Sequence, residues 1–82
     1  MGLNMSERLN IALGRRLVEI RKSKGFTQEQ LAYTSGIDRS YVGKIERGQV
    51  NLTVKKLYII AGCLGCRPSE LLPDTDQAGG DL

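Results

Sequence analysis

The chain has 82 residues, of which 40% are hydrophobic and 26% charged, and its 12 basic and 9 acidic residues give a net charge of +3. This length accommodates one domain with a modest core. No apolar run approaches the roughly 20 residues that cross a bilayer, and the first ten residues lack a signal-peptide core, so we expect a cytoplasmic protein without membrane contact. Histidine is absent and the two cysteines cannot complete a four-ligand zinc site, so we expect neither a metal nor a cofactor.

The charge is unevenly distributed along the chain. Residues 73–82 contain three aspartates and no base, which leaves 12 basic and 6 acidic residues, a net charge of +6, on residues 1–72. Such an excess favours a polyanionic partner through counterion release, although it is equally typical of ordinary solubility. Residues 74–82 are acidic, rich in glycine and without periodicity, which predicts a disordered acidic tail.

The first predicted helix covers residues 8–24 and follows a loose segment at residues 1–7. Its apolar residues recur on one helical face, namely Leu9, Leu13, Leu17 and Ile20. Ser6 is the expected N-cap and Gly25 the expected stop. Gly14 is unfavourable within a helix. We interpret it as allowing close packing against a neighbour that the sequence does not identify.

Residues 27–47 contain two short helical patterns around a turn. Thr27 and Gln30 form a T-x-x-Q capping box at the start of the first helix. Gly36 suits the left-handed conformation of a sharp turn, and Asp38 is the expected N-cap of the second helix, which Gly48 ends. Two helices joined by a glycine-containing turn predict a helix-turn-helix, whose second helix enters the major groove of DNA.

Two further helices are predicted after this unit. Thr53 caps a fourth helix, and Pro68 begins a short fifth helix that ends at Leu72. No strand pattern occurs, so the predicted fold class is all-α, with five helices in one DNA-binding domain at residues 8–73. Cys63 and Cys66 are interpreted as small buried residues at a helix end. The alternatives are a zinc site shared by two subunits and a redox switch.

Three stretches carry a recognisable combination of motifs. They are R-K-x-K-G-F-T-Q-E-Q-L-A at residues 21–32, S-G-I-D-R-S-Y-V-G-K-I-E-R-G at residues 35–48, and N-L-T at residues 51–53. Together they resemble the Cro/cI-type (XRE-like) helix-turn-helix family over about residues 10–72. Within it, D-R-S-Y, I-E-R-G and N-L-T look like the controller proteins of restriction–modification systems. The resemblance implies a lambda-repressor-like domain and an ion pair between Arg21 and Glu46. The alternative is two solvated charges.

The predicted DNA contacts fall into two groups. Arg39 is the best candidate for reading bases, because its guanidinium can bind both O6 and N7 of guanine. The predicted base-reading residues are Arg39, Ser40, Gly43 and Lys44. Gly43, which has no side chain, would leave room for DNA to approach the helix. The alternative is that it is simply a small residue that the helix tolerates. The predicted phosphate-binding residues are Thr27, Gln28, Tyr41, Arg47, Asn51 and Thr53. Tyr41 has an equal alternative, which is to pack on Ile37.

The predicted function is a sequence-specific transcriptional regulator that binds palindromic or pseudopalindromic operators in double-stranded DNA as a homodimer. The resemblance extends this to control of a restriction–modification operon. The alternative is an antitoxin-type module that binds a toxin and regulates its own operon. Ile59, Leu71 and Leu72 are the predicted dimer contacts, unless they merely close the core. No effector-sensing domain is evident, and no glycine-rich phosphate loop or catalytic cluster suggests an enzyme.

Overall fold

The computed structural model describes residues 2–76, and helices are the only regular elements within that range. The helices are α1 (Met5–Ser23), α2 (Gln28–Ser35), α3 (Arg39–Glu46), α4 (Val54–Leu64) and α5 (Pro68–Leu71). The predicted five-helix, all-α fold class is therefore confirmed. Of the predicted acidic tail, residues 77–82 lie outside the described part of the chain.

α1 begins earlier than the sequence predicts. The Asn4 side chain accepts a hydrogen bond from the Glu7 N–H at 2.8 Å, and the Glu7 carboxylate accepts one from the Asn4 N–H at 3.1 Å. This capping box satisfies two terminal donors reciprocally. Ser6 could not do so, because the residue three positions later is Leu9. The predicted Ser6 cap is therefore wrong, and residues 5–7 of the predicted loose segment belong to α1.

The starts of the next three helices agree with the sequence analysis. Thr27 Oγ1 accepts from the Gln30 N–H at 3.0 Å, and Gln30 Oε1 accepts from the Thr27 N–H at 2.8 Å. Asp38 caps α3 by accepting from the Ser40 N–H at 3.1 Å. Thr53 caps α4 by accepting from the Lys56 N–H at 3.2 Å. Short-range hydrogen bonds thus determine where α2, α3 and α4 begin.

All five helices contribute to one apolar core. α1 packs against α3 and α5, and α2 packs against α3 and α4. The largest fully buried side chains are Leu31, Val42, Ile60 and Leu71. Leu71 was predicted to contact a partner, but it is only 1% exposed and lines a small apolar space with Leu17 and Leu57. That prediction is wrong because α5 is a single short turn that directs Leu71 inward to close the core.

Gly14 lets α1 lie directly against the end of α3. A Cβ atom at Gly14 would be 2.5 Å from the carbonyl oxygen of Glu46 and 2.6 Å from that of Ile45. Gly48, which has a φ of +73°, comes equally close, since its Cβ would lie 2.7 Å from Ile11 Cα. The backbone of α1 therefore lies in direct contact with the end of α3.

Candidate nucleic-acid interface

α3 has one buried face and one exposed face. Val42 and Ile45 lie in the core. The exposed residues of the helix and its C-cap are polar or basic: Arg39, Ser40, Lys44 and Arg47. The apolar side thus anchors the helix while hydrogen-bond donors and positive charge remain accessible along its outer side. Such a helix can present side chains to the edges of bases and to phosphates.

The first turn of α3 is organised by Asp38. Its carboxylate accepts hydrogen bonds from both the hydroxyl and the backbone N–H of Ser40. These two bonds hold the pKa of the Asp38 carboxyl below its ordinary value of 3.8. Because the Ser40 hydroxyl donates to Asp38, its oxygen remains as an acceptor for a base or a water molecule. Arg39, the adjacent predicted base reader, is fully on the exposed side.

Gly43 does not provide an open surface. It is buried, and a Cβ atom at this position would lie 3.0 Å from Nη1 of Arg47. Arg47 in turn donates from Nε to Gln49 Oε1 at 3.2 Å. The space that Gly43 was predicted to leave for DNA is therefore occupied by the guanidinium of Arg47. Because Gly43 has no side chain, that guanidinium can lie close to the helix.

A buried network joins α1 to both helices of the turn unit. Arg21 donates from Nε to Glu46 Oε2 at 2.6 Å and from Nη2 to Oε1 at 3.2 Å, and its Nη1 donates to the Phe26 carbonyl at 2.8 Å. Gln28 Nε2 donates to Glu46 Oε1 at 2.7 Å. The side chains of Arg21 and Glu46 are 9% and 5% exposed, so they are not two solvated charges. Gln28, predicted to bind phosphate, has one amide hydrogen left for that contact.

A second group of polar side chains, the Asn51 cluster, joins α1 to the loop that follows α3. Asn51 Oδ1 accepts from Ser6 Oγ at 3.0 Å and from Asn10 Nδ2 at 2.7 Å. Neither bond uses the amide nitrogen of Asn51. The sequence does not predict Ser6 and Asn10 as partners of Asn51. Their spacing of one helical turn was the only signal, and it does not identify a loop more than 40 residues away.

Tyr41 connects α3 with α4. Its half-buried ring packs against the core, and Lys56 Nζ lies 4.0 Å from the ring centroid, within the range of a cation–π interaction. The ring of Tyr41 therefore packs against the core, as in the alternative interpretation, while phosphate binding by its hydroxyl remains a prediction. Thr27 and Thr53 use their side-chain oxygens as acceptors in the helix caps, which leaves each hydroxyl hydrogen able to donate to a phosphate.

Apolar side chains are exposed on α4 and after α5. Ile59 is 37% exposed and Leu72 is 49% exposed. Val54 and Tyr58 lie one helical turn apart on α4 and are more exposed still. With Leu71 in the core, Ile59 and Leu72 are the two predicted dimer contacts that remain accessible.

The two cysteines are free and half-buried against the core. Burial, and to a smaller extent the Glu70 carboxylate, raises the pKa of the Cys66 thiol, which disfavours the thiolate that metal binding and redox exchange require. Residues 2–76 contain no group of three or more His, Cys, Asp or Glu side chains placed to hold a metal ion. No helix in the same range is long and apolar enough to span a bilayer.

Comparison with known proteins finds relatives that share this fold. The family model HTH_3, helix-turn-helix, matches residues 17–71, more than half of the chain. The control protein C.BamHI of Bacillus amyloliquefaciens is 33% identical over 72 residues, covering 87% of this chain and 89% of that protein. The crystal structure of the restriction–modification controller protein C.AhdI from Aeromonas hydrophila has a TM-score of 0.75 and 46% identity, covering 77% of this chain and 96% of that one. The controller protein C.Esp1396I, solved as a tetramer with its natural 35 base-pair operator, has a TM-score of 0.70 and 40% identity, with coverages of 77% and 83%.

Proposed function

The chain belongs to the helix-turn-helix family of transcriptional regulators, and on that premise we propose that it reads a palindromic or pseudopalindromic operator as a homodimer, with α3 in the major groove. The main support for this proposal is the exposed basic side of α3. Arg39 stands in the first turn of α3, where a recognition helix meets base edges, and its guanidinium can make the bidentate contact with guanine. Lys44 and Arg47 follow along the exposed side and would bind bases or phosphates.

Residues on either side of α3 support the same mode of binding. Gln28 lies in the first turn of α2, where free N–H groups and the helix dipole favour a phosphate. Asn51 and Thr53 lie in the loop after α3 and at the start of α4. Phosphate contacts on both flanks would determine the register of α3 in the groove. The net charge of +6 on residues 1–72 supplies the long-range attraction.

A dimer supplies the specificity that one recognition helix lacks. A single helix reads only a few base pairs, whereas two copies related by a two-fold axis read half-sites roughly 34 Å apart. Ile59 and Leu72, with Val54 and Tyr58 of α4, are the exposed apolar side chains that a second copy would cover. The solved C.Esp1396I assembly is a tetramer on its operator, which supports an oligomeric form for its relative.

The oligomeric part of the proposal is tested by light scattering at micromolar concentration. We expect a dimer that the double substitution Ile59→Asp and Leu72→Asp converts to a folded monomer, because both charges would be buried on association. Tyr33→Asp is the matched control, since Tyr33 is an exposed apolar residue on α2. A dimer that survives the double substitution places the interface elsewhere, and a monomeric wild type contradicts the dimer.

The DNA-binding part is tested by selecting bound sites from random duplexes and titrating the best site against a scrambled one. We expect Arg39→Ala to lose about 1–3 kcal/mol of discrimination between the two duplexes, which is the range for one bidentate guanine contact. Arg15→Ala removes the same charge from the exposed side of α1 and should leave the discrimination unchanged. Equal effects of the two substitutions, or a wild type without sequence preference, contradict the proposal.

The narrower proposal is that the chain controls a restriction–modification operon, because two of these relatives are named as controllers of such systems. Neighbouring genes for an endonuclease and a methyltransferase would support it, whereas a small toxin gene would favour the antitoxin alternative. We assign the chain no catalytic reaction. Binding to an operator agrees with the cytoplasmic location expected from the sequence.

A further inference from the structure

We propose that Ser6 and Asn10 are positioning residues that orient Asn51, so that its amide nitrogen rather than its oxygen meets a phosphate of the operator. The inference rests on the proposed function, because it concerns how that function's phosphate contact after α3 is built. Ser6 and Asn10 themselves contact no DNA in this proposal. They act only through the Asn51 cluster.

The hydrogen bonds of the cluster determine the orientation of the Asn51 amide. Oδ1 accepts from both Ser6 Oγ, at 3.0 Å, and Asn10 Nδ2, at 2.7 Å. The oxygen and the nitrogen occupy opposite branches of one planar amide group. When the oxygen faces the two donors on α1, the nitrogen with its two hydrogens must occupy the branch on the other side.

This orientation matters because a phosphate oxygen only accepts hydrogen bonds. An asparagine that rotates freely about its last torsion can present either its nitrogen, which binds phosphate, or its oxygen, which repels it. Two donors on Oδ1 select the productive orientation before DNA arrives. The cost of ordering the side chain during binding then falls, and affinity rises accordingly.

The position of α1 makes Ser6 and Asn10 suitable supports. They lie one helical turn apart, and Gly14 follows one turn later, where its backbone lies against the carbonyl groups at the end of α3. The donors are therefore carried by a helix in direct contact with the recognition helix. Asn51 is held relative to α3 instead of moving with its loop.

The test is a double-mutant cycle on full-length protein with the selected operator. It uses wild type, Asn51→Ala, the pair Ser6→Ala with Asn10→Ala, and all three together. Each protein is titrated against a set of duplexes that carry one neutral methylphosphonate at successive backbone positions. Loss of sensitivity at one position identifies the phosphate that a given side chain binds.

We expect Asn51→Ala to weaken binding about tenfold, the usual size for a hydrogen bond to a charged group, and to abolish sensitivity at one phosphate. The Ser6 and Asn10 pair should weaken binding about threefold to fivefold and lower the sensitivity at the same phosphate by a similar factor, because Asn51 remains but is no longer oriented. In the triple variant the pair should add nothing. Ser69→Ala is the matched control, because it removes the hydroxyl of an exposed serine on α5 that takes no part in the Asn51 cluster.

Asn51→Asp gives an independent measurement. The carboxylate retains an acceptor for Ser6 and Asn10 but replaces the amide nitrogen with a negatively charged oxygen, so we expect it to bind DNA more weakly than Asn51→Ala. Binding equal to or tighter than that of Asn51→Ala would overturn the contact between residue 51 and a phosphate, on which the proposed orientation depends.

The remaining outcomes separate this inference from the proposed function. A wild-type protein without any preference for a DNA sequence would contradict both the proposed function and this inference. A wild type that binds its operator, while the Ser6 and Asn10 pair retains full sensitivity at the Asn51 phosphate, overturns the inference alone. The same conclusion follows if the effect of the pair simply adds to that of Asn51→Ala.

Discussion

The buried network joins α1 to the end of α3 and the Asn51 cluster joins α1 to the loop that follows α3, and the two connections use different chemistry. The buried network consists of an ion pair that is almost inaccessible to water, with Gln28 and the Phe26 carbonyl as further partners. The Asn51 cluster consists of neutral side chains near the surface that share two hydrogen bonds. A buried charge without its partner is expensive, whereas an exposed amide without its partner can bond to water.

The difference separates stability from orientation. The buried network should contribute strongly to whether the helices remain together, since removal of one member leaves an uncompensated charge. The Asn51 cluster should contribute little to folding and act mainly on how a side chain is presented. Two similar connections from α1 can therefore be distinguished by measuring unfolding and DNA binding on the same variants.

The largest expected effect is that of Glu46→Ala. It leaves the guanidinium of Arg21 buried without its carboxylate, and we expect a loss of about 3–5 kcal/mol in the free energy of unfolding. Urea denaturation followed by circular dichroism measures this change. Asn10→Ala, in the Asn51 cluster, should cost less than about 1 kcal/mol because its hydrogen bond is accessible to water. Equal losses in the free energy of unfolding for Glu46→Ala and Asn10→Ala would show that the two connections do not differ in their contribution to stability.

The next effect concerns Gly14, which lies on α1 between the two groups. Alanine is the better helix former by up to about 1 kcal/mol, but its Cβ would lie 2.5 Å from the Glu46 carbonyl oxygen. We therefore expect Gly14→Ala to lower the free energy of unfolding by about 2–3 kcal/mol, as in an overpacked interior.

Gly62→Ala on α4 is the matched control for Gly14→Ala. No atom lies within 4 Å of a Cβ at Gly62, so this substitution should stabilise the protein by about 0.5–1 kcal/mol. Thermal unfolding of the two variants should therefore shift in opposite directions. A stabilising Gly14→Ala would mean that α1 can move away from α3 at little cost.

The smallest effect is expected at the opposite end of α3, where an exposed carboxylate caps the helix. The pKa of Asp38 is lowered by its hydrogen bonds to Ser40, so its contribution to stability is complete above the ordinary value and is lost as the pH falls through the folded value. Between about pH 5 and pH 3, wild type should lose more thermal stability than Asp38→Asn, whose cap does not titrate. Parallel pH profiles would show that ionised Asp38 does not stabilise α3.

Much of the candidate site could be predicted from the sequence because its determinants are local. The Thr27 and Gln30 capping box, the Asp38 cap and the Thr53 cap each act within three residues of the chain. Together with the helical spacing of Val42 and Ile45, they predict where α3 begins and which of its sides is exposed. Arg39 was identified as a candidate from this local pattern.

Other features depend on which helices meet, so no local pattern in the sequence predicts them. Leu71 lies in the core because α5 folds back onto α1 and α4, although its spacing alone is equally compatible with an exposed contact. Gly43 is covered by Arg47, whose side-chain conformation no spacing specifies. The true cap of α1 was overlooked because Asn4 and Ser6 are both good N-cap residues, and Glu7 favours Asn4.

The sequence by itself therefore determined the five helices and which side of α3 is exposed, because hydrogen bonds and apolar periodicity within a few residues are sufficient for both. Only the tertiary structure decided how α1 supports that helix. The bonds from Ser6 and Asn10 to Asn51 span 45 and 41 positions of the chain. They accompany the close approach of the α1 backbone to the end of α3 at Gly14, a proximity that arises from packing and has no local signal.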